Sequence, residues 1–250
     1  PLAAAIGAFG GDPQKGLKTL EDITPRHVEM AQKLIANNAV DIAVEETPDF
    51  IHLDLTLSAG ENCCRVVVKG THTNVVELYI NGQPQPLSEK QNTRTQRETL
   101  PTFSLQQAYD FINRVDLNDI RFILDAARLN SALAAEGKTK KYGLNINGTF
   151  SDAVKNGLMS NDLLSKVIIN TVAASDARMG GAPVVAMSNF GSGNQGITAT
   201  MPVVVVAEHL GVDEETLARA LSLSHLTAIS IHSRYTRLSA LCAASTAAMG

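Results

Sequence analysis

A basic excess is missing from this sequence: 21 Lys and Arg face 25 Asp and Glu, giving a net charge of −4 and a pI near 5.9. That argues against nucleic-acid binding, which draws its affinity from neutralising phosphates. No apolar run reaches the roughly 18–20 residues needed to cross a bilayer, so no membrane role is expected. Cysteine is scarce, at three residues, an odd count that suits a reducing compartment better than a disulfide framework. Tryptophan is absent and aromatics reach only 4%. The Ala-rich opening, without a basic n-region or a cleavage site, is not expected to be a secretory signal. What is present is a globular balance, 44% hydrophobic and 18% charged over 250 residues. That balance excludes a disordered or fibrous chain and allows one large domain or two small ones.

Both ends read as cut. The chain opens at Pro1 in an apolar stretch that resembles the interior of a helix, without an initiator Met. It closes at Leu238–Gly250 among small apolar residues, where natural termini are polar. A fragment of a longer protein is the expectation; a short natural chain with tidy helical ends is the alternative.

Hydrophobic period divides the rest. Residues 13–38 read as helix, with Asp12 or Asp22 as caps and Pro25 near a helix start. Period-two alternation follows at Val40, Ile42 and Val44 and at Ile51, Leu53, Leu55 and Leu57; after a turn at Gly60-Glu61-Asn62, residues 64–69 and 75–80 read as two more strands, ending at Asn81-Gly82. This predicts a sheet with a helix against it. Residues 84–101, polar and holding three prolines, read as a linker. Helical periods then cover 105–115, 117–135, 163–174 and 213–231. The expected class is α+β: a small α/β segment over 1–83, the linker over 84–101, and a mainly helical domain over 102–250, truncated at its C-terminal end.

The most informative stretch runs from Ala174 to Pro202. Gly191, Gly193 and Gly196 spell GxGxxG, but a dinucleotide fingerprint belongs after the first strand of a parallel alternation. Here it lies late, between helical segments, so no NAD site is expected. Glycines let a backbone approach a ligand closely, and successive N–H groups can converge on an anion such as a carboxylate. Ser188, Asn189, Ser192, Asn194 and Gln195 add neutral donors. Pro202 reads as the start of a helix whose N-terminus faces this loop. The plainer alternative is a packing loop between helices.

Ser175-Asp-Ala-Arg-Met-Gly-Gly181, Ser188-Asn-Phe-Gly-Ser-Gly-Asn-Gln-Gly-Ile-Thr-Ala-Thr-Met-Pro202 and the closing Leu238–Gly250, with Gly70-Thr-His-Thr-Asn74 and Ile120–Ala127 in order, resemble the bacterial L-cysteine desulfidase family. That uncharacterised protein family is related to the iron–sulfur L-serine dehydratases, and the resemblance covers nearly the whole chain. It implies a cytoplasmic lyase with a [4Fe–4S] cluster on three cysteines and no pyridoxal phosphate. The implied reaction is β-elimination from L-cysteine or L-serine, giving pyruvate, ammonia, and sulfide or water. Chemically, a Lewis acid must hold the poor leaving group, a base must take the Cα proton, and a donor-rich loop must fix the carboxylate.

Cys242 matches a family cluster-ligand position, with the other ligands expected outside this chain; without the resemblance it reads as a buried helical thiol. One thiolate cannot hold a cubane, so the 250 residues alone are expected to be inactive and without a cluster. Cys63 and Cys64, adjacent on a strand, point to opposite faces and read as incidental. His72 is either a substrate contact or general base, by the resemblance, or a turn histidine. His225 and His232, seven apart on one helix face, are too widely spaced to chelate a metal and read as core or surface residues, with a place at the cluster pocket left open for one of them. Arg178 either clamps a carboxylate with its fork or pairs with Asp176 to hold the loop. The expected substrate contacts are Ser188, Asn189, Ser192, Gly193, Asn194, Gln195 and Arg178, for a small amino acid; a homo-oligomer is left open. The competing reading is a non-catalytic amino-acid-binding or regulatory protein.

Overall fold

Alternating residues over His52–Ala59 and the two runs that follow build an antiparallel meander. The structure, a computed structural model, describes residues 1–49, 51–87, 103–234 and 241–249. Strands β1 (His52–Ala59), β2 (Asn62–Lys69), β3 (Val75–Ile80) and β4 (Gln83–Pro84) pair in sequence order. Register places Leu55 opposite Val66 and Leu57 opposite Cys64, so Leu53, Leu55 and Leu57 share one face. The other face carries Asp54, Arg65 and Glu77, with Arg65 Nε 2.9 Å from Asp54 Oδ1 and its guanidinium over the Tyr79 ring. Asn81 and Gly82 both have positive φ, 49° and 77°, and form the tight turn into β4 that Asn-Gly favours.

Two compact units divide the chain, Pro1–Thr99 and Leu100–Gly250. In the first, α1 (Leu2–Gly10) and α2 (Pro25–Ala36) pack on each other around Ala5, Ile6 and Ala31. None of the residues gathered on that core comes from the sheet, and Leu53, Leu55 and Leu57 remain 57%, 48% and 48% exposed. The expected packing of a helix onto the sheet is therefore corrected: the helices satisfy their apolar faces with one another. A second correction concerns Val40–Val44, which is not strand; Ile42 and Val44 are 62% and 96% exposed, and alternation without a surface to bury against does not hold a strand. The expected single helix over 13–38 is a 3-10 turn (Pro13–Lys18) followed by α2, which starts at Pro25 behind a Thr24 cap. Most of the expected linker, residues 88–101, lies outside the described residues; its first residue, Pro84, belongs to β4.

The second unit is helical: α3 (Leu105–Arg114), α4 (Leu117–Ile120), α5 (Leu124–Gly137), α6 (Ile146–Lys155), α7 (Leu163–Met179), α8 (Gly193–Leu210), α9 (Glu214–His232) and α10 (Ala243–Ala248). With the sheet before it, this makes the chain α+β. One core cluster joins Leu133, Ala173, Ala174, Ala177 and Ile197, and another joins Ile120, Ala126, Val204 and Leu221. Leu133, Ile197 and Leu221 are fully buried, each stabilising the unit by about 1.5–3 kcal/mol. Helix α10 packs through Ala247 against Ala199 and Ala228.

Two boundaries and one further helix differ from the sequence expectation. Helix α7 runs on through Arg178 because Ala173, Ala174 and Ala177 are buried on one side of it; Gly181, with φ 78°, lies just beyond its end. Helix α8 starts at Gly193, not at Pro202, which lies inside it. Burial of Ile197, Ala199 and Met201 outweighs the hydrogen bond that proline removes. Helix α6 lies outside the helical spans expected from the sequence, although Ile146, Phe150, Ala153 and Val154 recur at helical spacing along it; its start is held by the buried Asp176 carboxylate, which accepts from Asn147 N at 2.9 Å.

Candidate functional site

The loop before α8 closes in a two-residue turn. Asn189 N donates to Ser192 O at 3.0 Å and Ser192 N to Asn189 O at 2.9 Å. The central residues, Phe190 and Gly191, have φ 48° and 84°. Glycine accepts that region freely, whereas phenylalanine there costs about 1–2 kcal/mol. The chain then enters α8 directly, with Ser192 Oγ accepting from Gln195 N at 3.2 Å, an N-cap that satisfies one of the helix's unpaired donors. The remaining N–H groups and the helix dipole make this end attractive to anions.

Arg178 lies beside that end. Its Nη1 donates to Asn194 Oδ1 at 3.2 Å, and its side chain runs so close to Gly193 that a Cβ there would stand 2.2 Å from Nε. Of the two roles expected for Arg178, pairing with Asp176 does not occur. Asp176 is buried and occupied by Asn147, and among the described residues no carboxylate pairs with Arg178. An exposed guanidinium and a helix N-terminus thus share one mouth with Ser192, Gly193 and Asn194, and Ser188 is exposed on the same loop.

Asn189 and Gln195 face the other way. Both are buried, at 4% and 0% exposed, and their side chains, expected to offer donors to a substrate, offer them to the protein. Gln195 Nε2 donates to Asn189 Oδ1 at 2.7 Å. Asn189 Nδ2 donates to the main-chain oxygen of His225 at 3.2 Å and lies 2.9 Å from His225 Nδ1. The carbonyl contact fixes the amide orientation, since a flip would set two oxygens against each other. His225 Nδ1 is therefore the acceptor, and its proton sits on Nε2, which donates to Thr200 Oγ1 at 2.9 Å. Thr200 donates onward to Gly196 O at 2.6 Å. At the other end, Gln195 Oε1 accepts from His232 Nδ1 at 2.6 Å, and the His232 ring lies 4.7 Å from that of Phe190. Asn130 joins from α5, donating to Gly196 O and Thr200 Oγ1 and accepting from Met187 N at 2.9 Å.

This chain of bonds has one direction throughout, from His232 to the carbonyl of Gly196. Burial pushes the His225 pKa from 6.5 down to about 4, which keeps the ring neutral as the tautomer requires. The sequence reading placed His225 and His232 on one helix face but gave them no tie to the loop. Their seven-residue spacing with Asn189 and Gln195 elsewhere was the available signal, and only tertiary packing brings them together.

His72 is exposed in the turn between β2 and β3, in the first unit; there Asn74, which donates to Lys69 O at 2.9 Å, does the turn bonding. Cys63 and Cys64 are free thiols on β2, on opposite faces of the strand as their adjacency requires. Cys242 is also free, and it is exposed at the cap position of α10, not buried within a helix. Among the described residues no three His, Cys, Asp or Glu side chains gather as a metal site. No helix is long and apolar enough to cross a membrane, again among the described residues.

An UPF0597 protein of Klebsiella pneumoniae is 99% identical over 250 residues, covering all of this chain and 59% of the relative. An UPF0597 protein of Chromobacterium violaceum is 47% identical over 251 residues, and the UPF0597 protein YhaM of Salmonella gallinarum 46% over 256, each covering all of this chain and 58% of the relative. The chain thus spans a little under three-fifths of the length of these relatives. No solved structure matches it. A family model described as serine dehydratase alpha chain matches residues 14–250, and the chain belongs to that family.

Proposed function

We propose that this chain is the amino-acid-holding part of a cytoplasmic lyase that eliminates the β-substituent of L-serine or L-cysteine, yielding pyruvate and ammonia with water or sulfide. The observation that carries the reading is the mouth at the α8 N-terminus. Arg178 has no carboxylate partner there among the described residues, and Asn194 holds its fork 3.2 Å away. An α-carboxylate set against Arg178 and the N–H groups of Gly193 and Asn194 gains charge-assisted bonds. Ser188 and Ser192 supply further donors, while Asn189 and Gln195 hold the loop from behind. The three free thiols suit the reducing setting assigned to it.

The family's iron–sulfur cluster finds only part of its ligand set here. Cys242, exposed and followed by Ala243 and Ala244, is the single thiolate proposed for it, and a cubane needs more. The described residues do not hold such a group by themselves, and no step is derived through it. In the longer protein a Lewis acid would carry the leaving group; what this chain's residues do is bind and orient the amino acid. His72 is the proposed base or substrate contact.

Anaerobic reconstitution of the full-length protein with iron and sulfide, followed by assay of pyruvate from L-serine and L-cysteine, tests the reading. Turnover of either amino acid upholds it. Failure with both, with amino-acid binding retained, replaces it with the non-catalytic binding role. If His72 is the base, His72→Gln lowers kcat by about 10²–10⁴ with little change in KM; an unchanged kcat removes His72 from the chemistry.

A further inference from the structure

The turn that shapes the mouth is strained at Phe190, and α9 grips it at two points. Asn189, its first residue, has its amide seated on His225 through both Nδ1 and the main-chain oxygen. Phe190 packs on His232, which also bonds Gln195 in the first turn of α8. A seven-residue spacing along one helix gives the two histidines nearly the same facing, so a single rigid element holds the turn and the start of α8 together. The His225 grip is directional. It needs an acceptor where Nδ1 stands, and packing bulk alone does not supply one.

We infer that His225 is a positioning residue for the amino-acid site proposed above: it holds the Asn189–Ser192 turn, and through it the N-terminus of α8, in the shape that receives the substrate carboxylate. This rests on that proposed site, and it adds a residue on α9 that does not face the mouth. His225 Nε2, which carries the ring's one proton, donates to Thr200 Oγ1, which ties the grip to the body of α8 as well. The expected effect falls on substrate affinity more than on turnover, because the grip acts on the turn that shapes the proposed carboxylate-holding end of α8.

The test uses the reconstituted full-length protein as wild type, His225→Leu and His225→Asn. Asparagine keeps an acceptor close to the Nδ1 position, whereas leucine keeps only bulk. In His225→Leu, KM should rise about tenfold or more with kcat within about threefold, and in His225→Asn KM should return to within about threefold of wild type. Amide exchange is followed in parallel. Residues 190–196 should exchange faster in the leucine variant alone, with α5 and α7 unchanged as the sign of an intact fold. A leucine variant with wild-type KM, or an asparagine variant no better than leucine, overturns the inference. Where the wild type turns over neither amino acid, the lyase reading falls and exchange decides alone. Local acceleration that asparagine reverses upholds the hold of His225 on the turn; absent or uniform acceleration overturns it.

Discussion

Asn189 and His225, 36 residues apart, meet through a side-chain nitrogen pair at 2.9 Å and a main-chain carbonyl at 3.2 Å. That double contact sets the direction of every hydrogen bond from His232 to Gly196. It also makes the loop before α8 part of the core of the second unit, although Asn189 and Gln195 read in the sequence as substrate contacts.

Removing a middle member of this chain should be costly. Gln195→Leu preserves much of the volume but takes away the donor to Asn189 Oδ1 and the acceptor for His232 Nδ1. Leaving buried polar groups without these partners should lower stability by about 2–4 kcal/mol. Urea unfolding measures it, and a loss below about 1 kcal/mol would show that the network is not energetically coupled.

Acid should weaken the fold through His225. Its folded pKa, about 4, lies below the ordinary 6.5, so the unfolded state binds more protons between these values. The contribution is fully present above pH 6.5 and is lost progressively as pH falls to about 4, where it levels off. The loss amounts to at most roughly 3 kcal/mol. Unfolding curves across this range should lose that slope in His225→Asn, which cannot titrate; an identical slope in both proteins would assign the acid sensitivity elsewhere.

Two glycines of the same helix should respond oppositely. A Cβ on Gly196 would stand 2.0 Å from Met187 O, a main-chain atom, whereas one on Gly193 meets the flexible Arg178 side chain at 2.2 Å. Gly196→Ala should therefore destabilise the chain by about 3 kcal/mol or more. Gly193→Ala should change stability by less than about 1 kcal/mol while displacing Arg178 and weakening amino-acid binding. Thermal melts paired with binding measurements separate the two, and equal stability losses would contradict the close approach at Met187.

Arg178→Lys tests the mouth. Lysine keeps the charge but loses the planar fork that Asn194 orients. Amino-acid affinity in the full-length protein should fall about 10- to 100-fold with stability unchanged. Undiminished affinity, read by calorimetric titration, would move the carboxylate site away from α8.

Much of the frame was legible in the residues. The first strand follows from period-two alternation, the next two from their β-branched apolar runs, and the Asn81-Gly82 turn from a dipeptide that accepts positive φ; α3 and α9 follow from their apolar spacing with Ser104 and Asp213 as caps, and α5 from its apolar spacing. These are local signals, and local physics suffices for them. The sequence also carried the residue types of the candidate mouth: glycines for close approach, Ser192 as a cap, Arg178 nearby. Tertiary structure decided the rest. It carried α7 through Arg178 and α8 through Pro202, because buried Ala, Ile and Met side chains outweigh local propensity. It left Val40–Val44 without a strand, because Val40 packs on the helical core of the first unit while Ile42 and Val44 stay exposed, so the alternation buries no continuous face. It turned Asn189 and Gln195 inward, because two histidines on α9 meet their amides only after the helices pack, and a hydrogen bond between residues 36 apart leaves no period in the chain.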